Sequence, residues 1–133
     1  MRQVAAAVIV EDGRLFVARR APGDPLAGLW ELPGGKVERG ETIQECLSRE
    51  LVEELAMESV VGDLLARTVY HYAHGSFEML ALAATRTSSY DIRVHDASAW
   101  VGRTDIEEME FAPADIELLS ILGSAGHLDD LKA

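Results

Sequence analysis

Across 133 residues the chain carries 23 acidic and 12 basic side chains, a formal net charge of −11 with histidine neutral. A chain of this length suits one domain, residues 1–133, built on one core. So acidic a protein argues against a surface for polymeric DNA or RNA, which is read by basic faces, but not against a small phosphorylated substrate whose charge bound metal ions offset.

The 48% hydrophobic and 26% charged content are ordinary for a globular protein. The single cysteine, Cys46, excludes an internal disulfide and a cysteine zinc cluster. It sits among carboxylates that raise a thiol pKa, so a packed structural thiol is expected. No apolar run approaches the ~18–20 residues needed to span a bilayer. Met1 to Val10 has a positive charge and an apolar run, but Glu11-Asp12-Gly13 follows at once, which reads as a strand ending in a turn rather than a signal peptide. The expectation is a cytoplasmic protein, monomeric or a homodimer, without a membrane partner.

In chain order, Gln3 to Val10 reads as a buried strand, Asp12-Gly13 as a hairpin turn and Arg14 to Arg20 as its partner. Ala21 to Gly28 is rich in breakers and forms a loop, and Leu29 to Pro33 is a short extended piece before Gly34-Gly35. An acidic helix follows, with Thr42 as N-cap and Glu45 completing a capping box. Val60 to Tyr72 and Phe77 to Thr85 form an antiparallel pair around a turn at Ala73 to Ser76, and Ser88 to Val94 leads irregularly to a strand ending near Val101. Asp105 to Met109 is a helical turn. Asp115 to Leu122 is an amphipathic helix with Pro113 near its first turn and Gly123 after its end, and a loose tail is expected from Gly126. Strands on both sides of a helix, then a hairpin and a final helix, imply a layered α/β domain with a mixed sheet.

The chemistry concentrates between Gly34 and Met57. Glu50, Glu53 and Glu54 share one helical sector, where like charges repel unless a cation holds them. Hard divalent ions such as Mg²⁺ take carboxylate oxygens and are usually held jointly by protein and substrate phosphates. Ile43, Leu47 and Leu51 repeat on another face and seat the helix on a core. Arg49 is placed to pair with Glu45 and Glu53, one turn to either side. Glu41 stands at the positive end of the helix as a capping or supporting carboxylate.

This stretch resembles the Nudix box: Gly35, Glu41, Arg49, Glu50, Leu51, Glu53, Glu54 and Met57 match its pattern in order and spacing, while Ala56 stands where the family has Gly. The substitution bears on the helix exit, where a left-handed residue is expected at a cost to Ala of roughly 1 kcal/mol or more. The resemblance implies an α/β/α sandwich and hydrolysis of a nucleoside diphosphate linked to another group. It makes Glu50, Glu53 and Glu54 metal ligands, with Gly34 contributing through its carbonyl, Mg²⁺ as cofactor and Mn²⁺ as its substitute. A carboxylate of the cluster, Glu53 or Glu50, would act as general base.

The likeness extends to Arg19-Arg20-Ala21, to Leu29 through Lys36, to Trp100-Val101 and to Phe111 through Asp115, which are similar to the MutT branch that hydrolyses nucleoside triphosphates. It implies phosphate contacts for Arg20 and Lys36 and a place for Asp115 at the base pocket. There a deprotonated Asp, an acceptor only, suits the amine of cytosine. Two bland alternatives stand beside these readings: Arg20 as an ordinary strand-end residue, and Asp115 as a cap of the last helix. A further acidic ligand near Trp100 would be Asp96 or Asp91, since Val94 occupies one position where related sequences carry Glu. His71, His74 and His95 lack metal-ligand spacing and read as surface or packed histidines. The expected function is a Mg²⁺-dependent nucleoside triphosphate pyrophosphohydrolase acting on cytidine or modified nucleotides in pool cleaning. The alternatives are a Nudix hydrolase of ADP-ribose or a dinucleoside polyphosphate, and a silent nucleotide sensor.

Overall fold

The first strand decides the layering. The computed structural model describes residues 1–133, and in it β1 (Arg2–Val8) buries its side chains on both faces. Ala5 and Ala7 enter one hydrophobic cluster, Ala6 and Val8 another, as the two-residue period of a strand requires. The chain continues through β2 (Val10–Glu11), β3 (Arg14–Arg20), β4 (Trp30–Glu31), β5 (Gly34–Lys36), α1 (Ile43–Leu55), β6 (Ser59–Tyr72), β7 (Gly75–Arg86), β8 (His95–Val101), α2 (Arg103–Glu108) and α3 (Pro113–Ser124).

Two sheets result. The mixed one runs β5-β1-β7-β6, with β1 and β7 parallel and the other pairs antiparallel; the second joins β2, β3 and β4, with β8 on the other side of β3, all antiparallel. Helix α1 covers one face through Cys46, Leu47, Leu51 and Leu55, and α3 covers the other through Leu118, Leu119 and Leu122. This is the expected α/β/α sandwich, but its core is divided by the sheets into two clusters rather than forming one. No helix is long and apolar enough to cross a membrane.

Three expectations need correction. The first two strands do not form a long hairpin: only Val10↔Leu15 and Glu11↔Arg14 pair, around Asp12 (φ 51°) and Gly13 (φ 73°). Both edges of β1 are already filled, by β5 and β7, so the chain changes sheet at Ile9. Helix α3 runs through Gly123 to Ser124. The tail is not loose: Leu128 and Leu131 are buried, the Lys132 N–H donates to the Gly13 carbonyl at 2.8 Å, and the Lys132 carbonyl accepts the Arg103 N–H at 2.8 Å. Apolar residues three apart on consecutive turns give the tail a face to bury.

Helix α1 begins as its sequence dictates, with the Glu45 N–H donating to Thr42 Oγ1 at 3.0 Å and the Thr42 N–H to Glu45 Oε1 at 2.8 Å. It ends in Ala56, held left-handed at φ 51° and ψ 34°. The Ala56 and Met57 N–H groups close back on Val52 and Leu51 carbonyls at 2.9 and 3.1 Å, and the fully buried Met57 side chain anchors the turn. The helix exit therefore keeps the shape that glycine would give it, and Ala bears the strain. Ala56→Gly should raise stability by about 1 kcal/mol, the left-handed penalty less the chain entropy of glycine. A urea titration of both proteins measures it, and a lower midpoint for Ala56→Gly at unchanged slope would show that Ala56 is unstrained.

Candidate active site

Gly34-Gly35 brings the sheet and α1 into contact. At Gly34 (φ 156°) a Cβ would lie 1.9 Å from the Ala5 carbonyl oxygen; at Gly35 it would meet the Glu50 carboxyl carbon at 2.4 Å. The first position excludes a side chain against rigid backbone, and at the second a side chain would displace the Glu50 carboxylate. Cys46 lies beneath, its Sγ 3.5 Å from the Gly35 carbonyl oxygen, and burial pushes its thiol up to about 12. It is the packed, unreactive thiol expected.

Arg49 organises the acidic groups differently from the expected helical pairs. Its guanidinium donates to Glu41 at 2.7 and 3.1 Å, to Glu50 at 2.8 Å and to Glu53 at 3.1 Å, while Glu45 is engaged in the cap instead. Glu41 also accepts the Glu38 N–H at 2.8 Å, and these contacts, Arg49 foremost, hold its carboxyl down at about 2. Glu41 is thus the brace that fixes Arg49.

The three carboxylates of the helix do not converge on one point, and no trio of His, Cys, Asp or Glu side chains is gathered closely enough to hold a metal ion. Glu53 turns to Arg49 with 57% of its side chain exposed. Glu54 goes inward: its Oε1 is buried without a hydrogen-bond partner, and burial, with the charges of Glu50 and Glu31, pushes its carboxyl up to about 7 against the opposing influence of His95. Like charges repel at this spacing and take the counter-ion at hand, which is Arg49. An unsatisfied, desolvated carboxylate oxygen beside a second carboxylate is nonetheless a donor set suited to a hard divalent cation.

Two adjoining cavities open here. One, of about 660 Å³, is bordered by Glu50, Glu54, Gly35 and Lys36. The other, of about 680 Å³, runs between the sheets from Glu54, Gly34 and Lys36 past Arg20 and Glu31 to Asp115, with Tyr70, Tyr72 and Phe77 along its wall. Of the residues expected from sequence, Gly34, Glu50, Glu54, Arg20, Lys36 and Asp115 border this space and Glu53 does not. Asp96 is elsewhere, bound to Arg19 at 2.8 Å, and Asp91 borders neither cavity. Asp96 is turned away because β8 pairs with β3 in the second sheet and presents it to Arg19.

Arg20 is committed within the protein. It makes a two-pronged contact with Asp24 at 2.8 and 2.9 Å and a bond to Glu31 Oε1 at 3.0 Å. Glu31 Oε2 accepts from His95 Nε2 at 2.8 Å. Burial opposes protonation of His95, but Glu31 and then Glu54 outweigh it and raise its pKa above the ordinary value. His95, 8% exposed with Nδ1 unpartnered, is the packed histidine expected, yet it belongs to this network. Sequence reasoning missed Glu31 altogether. Its signal was a lone acid between Trp30 and Leu32 in an extended segment, where only a buried partner justifies a charge.

Asp115 does not cap α3, which has no side-chain cap. Only 4% exposed, it accepts the Leu32 N–H at 3.0 Å from across the cavity, and burial pushes its carboxyl up to about 7.

Residues 1–121 match the family model described as the NUDIX domain. The chain belongs to the NUDIX family. It is a Nudix hydrolase of MutT-like type. It is 37% identical over 123 residues to the CTP pyrophosphohydrolase of Escherichia coli K12, covering 90% of this chain and 89% of that one. It is 36% identical over 125 residues to the putative 8-oxo-dGTP diphosphatase 2 of Mycobacterium tuberculosis, covering 84% and 81%. Among solved structures, the E. coli ORF135 protein superposes with a TM-score of 0.84 at 34% identity, over 93% of this chain and 89% of that one. A MutT NUDIX hydrolase from Burkholderia pseudomallei gives 0.79 at 27% identity, over 91% and 97%.

The raised pKa of Asp115 gives a signed prediction. The carboxyl ordinarily titrates near 3.8 and does so at about 7 in the folded Nudix protein. Between those values the native state holds a proton that the unfolded chain has released, so this group lowers stability as pH rises through that window. Asp115→Asn keeps an oxygen for the Leu32 N–H and cannot ionise. Its melting temperature relative to wild type should therefore climb from pH 4 to about 7 and then level off. A difference independent of pH would mean that Asp115 titrates normally.

Proposed function

We infer that this Nudix hydrolase is a nucleoside triphosphate pyrophosphohydrolase that releases a nucleoside monophosphate and pyrophosphate, with cytidine or modified nucleotides as its substrates. The observation that carries this reading is the larger cavity, which adjoins the smaller one bordered by Glu50 and runs from Glu54 of α1 to a buried Asp115. Its length joins a phosphate end to a base end, as a mononucleotide with a phosphate chain requires. The two relatives above, named for CTP and 8-oxo-dGTP, support the same substrate class.

Glu50 and Glu54, which border the cavities, with the Gly34 carbonyl, would hold the divalent cation, Mg²⁺ in our reading, and Glu53 would join them only by leaving Arg49. That ion supplies charge neutralisation on the phosphoryl oxygens and stabilises the leaving group. The chain does the rest. Arg49 restrains Glu50 and Glu53 through hydrogen bonds, so their oxygens are oriented before substrate arrives. Glu53, the most exposed of the three, is our candidate to take the proton of the attacking water once it swings from Arg49 to the cavity, and Glu50, already at the border, is the alternative. Lys36, at the border of both cavities, meets the phosphate chain. Arg20 reaches the phosphates only by exchanging one of its carboxylate contacts. At the far end, Tyr70, Tyr72 or Phe77 offers a face for the base and Asp115 reads its edge. As a carboxylate Asp115 accepts from the cytosine amine, and as a neutral acid it also donates, so base choice is expected to vary with pH around neutrality.

Product analysis on a panel of nucleoside triphosphates with Mg²⁺ tests the reading. Pyrophosphate should appear with wild type, Glu53→Gln should lower kcat by about 10²–10⁴-fold as loss of a general base does, and Asp115→Asn should shift the order of preferred bases. Release of single phosphates, or turnover of ADP-ribose in place of every triphosphate, would overturn it.

A further inference from the structure

The cations available to the phosphate chain are fewer than the sequence suggests. Three basic residues border the two cavities: Arg2, Arg20 and Lys36. Arg20 is held by Asp24 and Glu31, and Arg49 behind the glycines is shared among Glu38, Glu41, Glu50 and Glu53. No ion pair involves Arg2 or Lys36.

Arg2 is placed by the register of its strand. It shares the face of β1 with Val4 and Ala6, which line the larger cavity, and it pairs with Phe77 on β7, while Val4 pairs with Lys36 on β5. Arg2 and Lys36 therefore stand on neighbouring strands two residues apart in register, on the edge common to both cavities. Across that edge lie Glu38, Glu50 and Glu54, an excess of negative charge at a site that must admit a polyanion. An exposed guanidinium without a carboxylate partner presents its N–H fork to such a ligand, and phosphate oxygens match that fork two at a time.

We propose that Arg2 is a substrate-binding residue, a second free cation that with Lys36 grips the terminal phosphates of the nucleotide and favours triphosphates over shorter chains. The proposal rests on the function proposed above for the same site and adds the residue that measures phosphate number. It assigns Arg2 to binding and not to proton transfer, so its effect belongs in KM.

Three variants test it: Arg2→Gln, Arg2→Lys, and Arg14→Gln, which removes the same charge from an exposed position outside both cavities. Arg2→Gln should raise KM for nucleoside triphosphates by about tenfold, the scale of one lost charged hydrogen bond, with kcat little changed. It should change KM for the matching diphosphates much less. Arg2→Lys should recover part of the loss, and Arg14→Gln should match wild type. Titration of inorganic pyrophosphate with Mg²⁺ into wild type and Arg2→Gln, followed by calorimetry, reads the same contact without turnover. Equal losses for triphosphate and diphosphate, a fall in kcat at constant KM, or pyrophosphate affinity that is unmeasurable in wild type or unchanged in Arg2→Gln would overturn the role of Arg2. If wild type cleaves no triphosphate, the proposed function fails, and the pyrophosphate titration still decides Arg2 on its own.

Discussion

Everything in the site hangs on the space that two missing side chains leave. Gly34 lies so close to β1 that a Cβ would overlap the Ala5 carbonyl oxygen, and Gly35 lies so close to α1 that one would overlap the Glu50 carboxylate. With these contacts β5 pairs with β1 on one side and packs against the helix on the other. Backbone sterics at Gly34 thereby fix β5 to β1, and the space at Gly35 lets the Glu50 carboxylate settle beside the strand.

The second theme is electrostatic. A chain of net charge −11 builds a site for an anionic substrate class, and it commits Arg49 on the acidic helix and Arg20 beside Glu31 to its own carboxylates. Arg49 binds Glu41, Glu50 and Glu53; Arg20 binds Asp24 and Glu31. Such contacts orient the side chains of the site and leave only Arg2 and Lys36 unpaired at its border. Glu31 links Arg20 to His95, and Glu54 and Asp115 hold raised pKa values at opposite ends of the larger cavity. Perturbed acids of this kind gather at functional sites because burial there is not compensated.

Much of this was legible in the chain. The Thr42–Glu45 cap, the buried Leu47–Leu51 stripe and the strand pair on either side of Ala73 are local patterns, and the structure contains them all. The spacing of Gly35, Glu41, Arg49, Glu50, Glu53 and Glu54 pointed to the Nudix family, to which the chain belongs. Ala56, a departure from that pattern, takes the left-handed conformation regardless, since Met57 is buried beyond it. The errors were of another kind. The long first hairpin, the single core and the loose tail failed because pairing depends on which edges and faces are already occupied, and those are set by segments far along the chain.

The sequence by itself therefore determined the family and the acidic helix with its ends. These follow from spacing within a turn or two and survive in any tertiary setting. Only the folded structure decided which carboxylate Arg49 takes, that Glu31 joins Arg20 to His95, that Asp96 faces Arg19, and that Asp115 accepts from Leu32 instead of capping α3. Each of these pairs residues that chain order alone does not bring together. Charged side chains are long and select the nearest opposite charge in space, so their partners are settled by packing.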